Sequence, residues 1–348
     1  MLADLTVIDI STVLAGPSVG TFFAELGAKV IKVESPIHGD VTRSWKLPSE
    51  SEDQRVSAYF SSINYLKSYQ YLNFKETEDR NKLLNLISTA DILVSNFKFG
   101  DAEKFNLTDE ILFALNPQLI HGKISGFGQD NDRVAYDLIL QAETGFMSMN
   151  GTPESGPVKM PVALIDVLAA HQLKEGILVA LLNRVKTGKG KAVEVSLYEA
   201  AISSLINQAT NYLMGGKVAQ RIGSLHPNSA PYGEIFTSKD DVLITFAIGS
   251  DKHFEKLCQF LRLDSLISDP RFINNLKRVK HRTELAVYLQ ESIQERDHNE
   301  ILEAMLRENV PAGKIKSLNE VLDNPNCQHL IREEIIDGIP TKRITSIV

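Results

Sequence analysis

Residues Thr6 to Glu34, TVIDISTVLAGPSVGTFFAELGAKVIKVE, decide the fold. Thr6 to Ile10 is a short apolar run ending in a turn, which reads as a buried strand. In the stretch that follows, Pro17 suits the first turn of a helix running to about Leu26, and Gly27 suits a left-handed stop. AKVIKVE then returns as a second strand, completing the strand–helix–strand unit from which parallel sheets are built. The connecting loop, Ser11 to Gly16, is where such a unit meets its ligand. It carries no GxGxxG, so a nicotinamide or flavin cofactor has no support.

Working outward, SPIHGDVTRSWKLPSESEDQR reads as a polar excursion over the surface. Alternation then resumes with strand YQYLNF, a helix over Glu76–Ser88, strand DILVSNF, a helical stretch around Ala102–Leu115 and strand LIHGKIS. Glu76, Glu78 and Asp79 open the first of these helices, as its dipole favours. The expected fold class is therefore α/β with an open, Rossmann-like parallel sheet. After a helical YDLILQAETGFMSM and a Gly/Pro connector comes a long helix carrying Asp166, then strand KAVEVSL and helix YEAAISSLINQATNYLM. KVAQRIGSLHPNSAP reads as a linker into a smaller α+β region: an antiparallel hairpin with Lys239, Asp240 and Asp241 near its turn, helices over about Asp251–Asn309, and the extended piece VPAGKIKS leading back.

The chain has 348 residues, 43% hydrophobic and 23% charged, with a formal net charge of -7, the profile of an ordinary globular protein. An acidic balance argues against nucleic acid as the main partner. No apolar run reaches the length of a membrane span, and the N-terminus enters a strand pattern directly, so a cytoplasmic protein is expected. Cys258 and Cys327 show no CxxC spacing, and no metal site is expected.

From Asp166, helical steps reach Ala170, Leu173, Ile177, Ala180 and Leu181, so a carboxylate stands on the apolar stripe of the helix it helps to begin. Two readings stay open on these residues. Asp166 is either a cap or first-turn acid complementing the helix dipole, or a nucleophile kept ionised by the dipole and stripped of water by its surroundings.

The chain resembles the class III CoA-transferases, the group of formyl-CoA and carnitine CoA-transferases that also holds α-methylacyl-CoA racemase. The resemblance is carried by VIDISTVLAGPSVGTFFAELGAKVIKVESPIHGDVTR, LNFK, ADILVSNF, NPQLIHGKISGFGQ, YDLILQAETGFMSMNG, LLNRVKTGKGKAVEVSLYEA, HPNSAPYG and VPAGKI, and it spans nearly the whole chain. It implies that Asp166 is the nucleophile, forming an aspartyl-CoA thioester as CoA passes from an acyl-CoA to a free carboxylic acid. It implies CoA contacts at Leu14 and Ala15, at Leu72, Asn73, Phe74 and Lys75, at Asn96, Phe97 and Lys98, and at Lys104. The residue types suit the ligand: lysines can neutralise phosphates, and Leu72 and Phe97 can flank an adenine. CoA enters as substrate and product, and no permanently bound cofactor is implied.

Tyr136 and Asp137 fall on positions bordering the family's active site. The racemase branch has a histidine where this chain has Tyr136, and a phenol is a poor proton acceptor at neutral pH. Transfer is therefore favoured, with a racemase-type isomerase and a non-catalytic CoA-binding homologue as alternatives. Arg43 is a further basic candidate, either for a phosphate or for an ion pair with Asp40. His38 and His226 sit in loops that could approach a ligand, whereas His171 lies on another face of the Asp166 helix. The implied architecture is a large CoA-binding domain of residues 1–217 and 312–348, a small domain of 218–311, and an intertwined homodimer of interlocked rings. Four features depart from the family pattern. Alanine replaces a frequent glycine at Ala135 and Ala170, the loop from Gln129 to Tyr136 is short, the chain stops early, and no glycine-rich loop is visible between Lys217 and Pro231.

Overall fold

The computed structural model describes residues 1–128 and 130–347; Gln129, where the short loop was expected to begin, and Val348 lie outside them. The chain forms two compact units, Met1–Asn150 with Ser155–Gln220 and Gln328–Val348, and Gly151–Glu154 with Arg221–Cys327.

In the first unit, β1 (Thr6–Asp9), α1 (Ala15–Glu25) and β2 (Lys29–Glu34) follow as the opening stretch predicts, and Gly27 takes a φ of 97°. Just beyond the polar excursion, which ends at Arg55, comes a helix that the sequence did not announce, α2 (Ala58–Ile63). Then come β3 (Lys67–Tyr71), α3 (Thr77–Ile87), β4 (Ile92–Ser95), α4 (Asp101–Phe105), α5 (Asp109–Leu115), β5 (Ile120–Ser125), α6 (Asp137–Glu143) and α7 (Phe146–Met149). The long helix is α8 (Leu164–Thr187), followed by β6 (Lys191–Ser196), α9 (Leu197–Ser203) and α10 (Ile206–Gly215). The single helix expected over Tyr198–Met214 is thus two, parted at Ser204–Leu205.

The six strands form one parallel sheet in the order β3-β2-β1-β4-β5-β6. Order reverses between β1 and β4, and ligands of open α/β sheets bind at the carboxyl ends of the strands flanking such a switch point. α1 and α8 bury Val19, Phe23, Ile165, Ala169, Leu173 and Ile177 against one sheet face, and α3 and α5 bury Leu83, Ile87 and Leu112 in a separate apolar cluster. Val193 lies against Gly176 of α8, where an added Cβ would come within 2.5 Å of its methyl. Sheet and helix therefore approach more closely than a side chain there would permit.

The second unit contains β7 (Tyr232–Thr237), β8 (Leu243–Ala247), α11 (Asp251–Leu261), α12 (Asn275–Lys280), α13 (Arg282–Ile293), α14 (His298–Arg307), β9 (Ala312–Lys314) and α15 (Leu318–Leu322). β7, β8 and β9 form an antiparallel sheet, covered by a core of Phe236, Phe246, Phe254, Leu257, Phe272, Leu289 and Met305. The return to the large unit, expected at residue 312, comes after Cys327 instead, because β9 adds to β8 by backbone pairing. The first unit then closes with an antiparallel hairpin, β10 (Ile331–Ile336) and β11 (Ile339–Ile344), which the sequence reading did not foresee. No helix among the described residues is long and apolar enough to cross a membrane.

Candidate active site

Asp166 is the third residue of α8, and it is 8% exposed. Burial, and after it the charge of Asp137, push its carboxyl up from 3.8 to about 7. The helix dipole was expected to keep this group ionised. Desolvation outweighs it, because a charge taken out of water loses more than a first-turn dipole returns.

The capping task falls to another acid. Asp137 opens α6, and its Oδ1 accepts the Ile165 backbone N–H at 2.8 Å while its Oδ2 accepts from Gln141 Nε2 at 2.7 Å. Gln141 in turn accepts the Met160 N–H through its Oε1 at 2.8 Å, tying the approach to α8 onto α6. Among the described residues no hydrogen-bond donor is assigned to the Asp166 carboxylate. A second neighbour is Tyr59 of α2, whose phenol is pushed up to about 12 by burial and then by Asp166, Asp137 and Asp40. The Trp45 ring packs edge-on against Tyr59 at 5.0 Å. Neither aromatic was foreseen: Trp45 lies in the polar, aperiodic excursion and Tyr59 in the short helix after it, and neither segment carries a local signal for a buried site.

The turn between β1 and α1 is held from beneath. Val13 has a φ of 73°, an outlying conformation for a β-branched residue. Its N–H faces the Asp40 carboxylate at 3.3 Å, and Asp40 also accepts from the Thr42 N–H at 3.0 Å. Lys32, fully buried, pairs with Asp40 at 3.3 Å and donates to the Ser11 carbonyl. Asp9 lies 3.8 Å from Lys32 and 2.8 Å from Lys67. Burial opposes ionisation of Asp9, yet the two lysines outweigh it and hold the carboxyl below its usual range. Burial pulls Lys67 down to about 8 against the attraction of Asp9.

The residues expected to contact CoA collect at the carboxyl ends of β1, β3 and β4. Leu14 precedes α1 and Ala15 begins it, the latter buried. Leu72 is buried, with Asn73 and Phe74 half-buried beside it. Phe74 and Phe97 each pack on Phe105, at 5.8 and 5.9 Å, giving one apolar surface with Leu72. Lys75, Lys98 and Lys104 are exposed, and Lys104 lies 3.7 Å from Asp101. Asn96 has its side chain committed elsewhere: it accepts the Thr12 N–H at 3.0 Å and donates to the Thr12 carbonyl at 2.9 Å, clamping the β1 and β4 loops together.

Arg43 does not pair with Asp40. It makes a two-point ion pair with the buried Glu34, at 2.7 Å from each oxygen, reaches Asp337 at 3.0 Å and lies over the Phe60 ring at 3.7 Å. Its guanidinium is thus occupied in joining β2 to the C-terminal hairpin. Tyr136 is 49% exposed and lines a cavity of about 410 Å³ together with Val13, Asn96, Lys98, Ser125 and Ala135. Asp166 is not among the residues lining that cavity. Ala135 fills the space beside Gly126, and Ala170 is wholly in the core. His38 and His171 are exposed, while His226 stacks on Tyr232 at 4.8 Å.

A parallel sheet with helices on both faces and a buried carboxylate given no hydrogen-bond donor among the described residues define a class of ligand-binding α/β enzyme, and comparison with known proteins narrows it. The sequence profile of CoA-transferase family III matches residues 2–342. The chain is 35% identical over 333 residues to the succinate–glutarate CoA-transferase of Agrobacterium fabrum, covering 94% of this chain and 83% of that protein. It is 33% identical over 331 residues to the succinyl-CoA:glutarate CoA-transferase of Mus musculus, covering 94% and 75%. Among solved structures, a CAIB/BAIF family protein from Brucella suis superposes with a TM-score of 0.84 at 35% identity, covering 99% of this chain and 91% of that one. Rv3272 from Mycobacterium tuberculosis does so with a TM-score of 0.86 at 26% identity, covering 100% and 92%. The chain belongs to CoA-transferase family III, and is by class a CoA-transferase.

Proposed function

We propose that this enzyme moves CoA from an acyl-CoA thioester to a free carboxylic acid through an aspartyl-CoA thioester on Asp166. The observation that carries the reading is the division of labour at the start of α8: Asp137 takes the Ile165 N–H, so Asp166 is left buried and without a hydrogen-bond donor. A carboxylate in that state is poorly solvated and raised in basicity, and so activated as a nucleophile.

The ionised Asp166 attacks the thioester carbonyl, forming an Asp166–acyl anhydride and expelling CoA thiolate. The thiolate then attacks the aspartyl carbonyl of the anhydride, giving the aspartyl-CoA thioester and releasing the first acid as its carboxylate. The acceptor carboxylate repeats both steps in reverse and leaves as its CoA ester. No proton has to be delivered to a leaving group, which suits a site built from acids and phenols instead of histidine. Water must be kept away, since both intermediates are acyl donors.

CoA binding is assigned to the surface formed by Leu72, Asn73, Phe74, Lys75, Phe97, Lys98 and Lys104, with the Leu14–Ala15 turn toward the thioester and Asn96 holding that turn. The relatives named for succinate, glutarate and mesaconate support small dicarboxylic acids as donor and acceptor. Residues 1–217 with the C-terminal segment form the CoA-binding domain in this reading, and the working unit is an intertwined homodimer.

The test is intact-protein mass spectrometry after incubation with succinyl-CoA, with and without hydroxylamine, followed by peptide mapping. A CoA-sized adduct on the Asp166 peptide, replaced by a hydroxamate in hydroxylamine, is expected. An unmodified protein that exchanges the α-proton of a 2-methylacyl-CoA in deuterium oxide would instead establish an isomerase.

A further inference from the structure

We propose that Ser95, His121 and Asp109 form a second acyl-transfer site, one that hydrolyses small carboxylic esters or thioesters through an acyl-Ser95 intermediate. Ser95 is the last residue of β4 and His121 the second of β5, neighbouring strands of the parallel sheet, and Asp109 begins α5. His121 Nε2 lies 2.8 Å from Ser95 Oγ, and its Nδ1 lies 2.6 Å from Asp109 Oδ1. An ionised carboxylate can only accept, so Nδ1 carries the ring proton and the Nε2 lone pair faces the serine hydroxyl. This is the order of contacts that lets an imidazole take a proton from a serine as it attacks.

Two further features fit. Burial, against the pull of Asp109, keeps His121 below the ordinary histidine range, so the ring is a free base at neutral pH. Lys123 donates to the other Asp109 oxygen at 2.8 Å, fixing that carboxylate in place and in its ionised form. All four side chains line the cavity of about 410 Å³ that also contains Thr12, Lys98 and Tyr136. Ser95 thus sits at the floor of a space large enough for a small acyl group, at the carboxyl edge of the sheet where this architecture presents ligands. The CoA-transfer mechanism uses none of the three residues, and a carboxylate nucleophile has no need of a histidine base.

In the first step Ser95 Oγ bonds to the acyl carbon as His121 Nε2 takes its proton. The tetrahedral adduct then expels the thiolate or alkoxide, which takes that proton and leaves as thiol or alcohol. In the second step water attacks the acyl-serine, His121 accepts one of its protons and returns it to Ser95 Oγ, and the acid is released. Lys98, on the cavity wall, supplies positive charge for the oxyanion.

The experiment is treatment of the full chain with a fluorophosphonate, with peptide mapping and parallel assays of p-nitrophenyl acetate and acetyl-CoA hydrolysis. The expected result is one adduct, on Ser95 and not Ser88 of the same tryptic peptide, with loss of hydrolysis on labelling. The adduct persists in Asp166→Ala, which separates this site from the transfer reaction, and labelling slows at least about 100-fold in His121→Asn. Absence of an adduct on native Ser95, under conditions that fully label a known serine hydrolase, overturns the proposal even if His121→Asn fails to fold. Labelling with no hydrolysis of either substrate overturns it too.

Discussion

The carboxylate of Asp137 accepts the backbone N–H of Ile165, the residue immediately before Asp166, at 2.8 Å. One acid caps the helix and the next acid in space is left over. Both sit near the same positive helix end, and their mutual repulsion adds to burial in holding Asp166 protonated up to about pH 7. The rate of CoA transfer should report this. Below pH 7 kcat/KM should rise about tenfold per pH unit and level off above it, because only the ionised form attacks. Asp137→Asn keeps an oxygen for the Ile165 N–H but removes the charge, so the inflection should move to lower pH. A profile flat from pH 5.5 to 8 would contradict this assignment.

The same shift predicts an effect on stability. The folded chain binds the Asp166 proton more tightly than the unfolded chain, so the group costs nothing below its ordinary value of 3.8 and its full amount above about 7. About three units corresponds to roughly 4 kcal/mol at most. Asp166→Asn should therefore abolish transfer yet stabilise the protein at pH 8 by about 1–4 kcal/mol in urea unfolding, with the gain vanishing near pH 4.

Arg43 should prove structural. Its pair with Glu34, whose side chain has no exposure, leaves an uncompensated buried charge when one partner is removed. Arg43→Gln is expected to cost about 3–5 kcal/mol by denaturant titration. The dissociation constant for CoA, measured on the folded fraction by calorimetry, should be unchanged. A lost phosphate contact would give the opposite pattern.

Asp40→Ala removes at once the acceptor for the Val13 N–H and the partner of buried Lys32. We expect a loss of about 3–5 kcal/mol. Where the protein still folds at low temperature, transfer should slow, since nothing then holds Val13 in its left-handed conformation beside α1. Unchanged stability would mean that Lys32 is satisfied by Asp9 and the Ser11 carbonyl alone.

Gly126→Ala would place a methyl 2.3 Å from the Ala135 Cβ. The overpacking should cost about 1–3 kcal/mol, and Ala135→Gly in the same chain should restore most of it. Thermal melting of the two single variants and the double variant measures the coupling directly.

Local chemistry in the sequence already determined the alternation of strands and helices, the Gly27 stop, the β7–β8 hairpin and the long helix carrying Asp166. Each of these depends on periodicity or turn residues a few positions apart, which a linear reading can see. The split between α9 and α10 escaped it, and so did helix α2 and the β10–β11 hairpin, whose Phe60 and Ile336 pack together from distant parts of the chain. The expected CoA contacts around Leu72, Phe97 and Lys98 came from the family resemblance, not from periodicity or turn chemistry. Which acid caps α8 could not be read that way, since Asp137 and Ile165 are 28 positions apart. Nor could the partner of Arg43, whose contact with Asp337 spans 294 positions, nor the alignment of Ser95 with His121, which only the pairing of β4 with β5 creates. Tertiary structure decides these because a buried charge is settled by whichever partner the fold brings within reach, and sequence distance places no limit on which one that is.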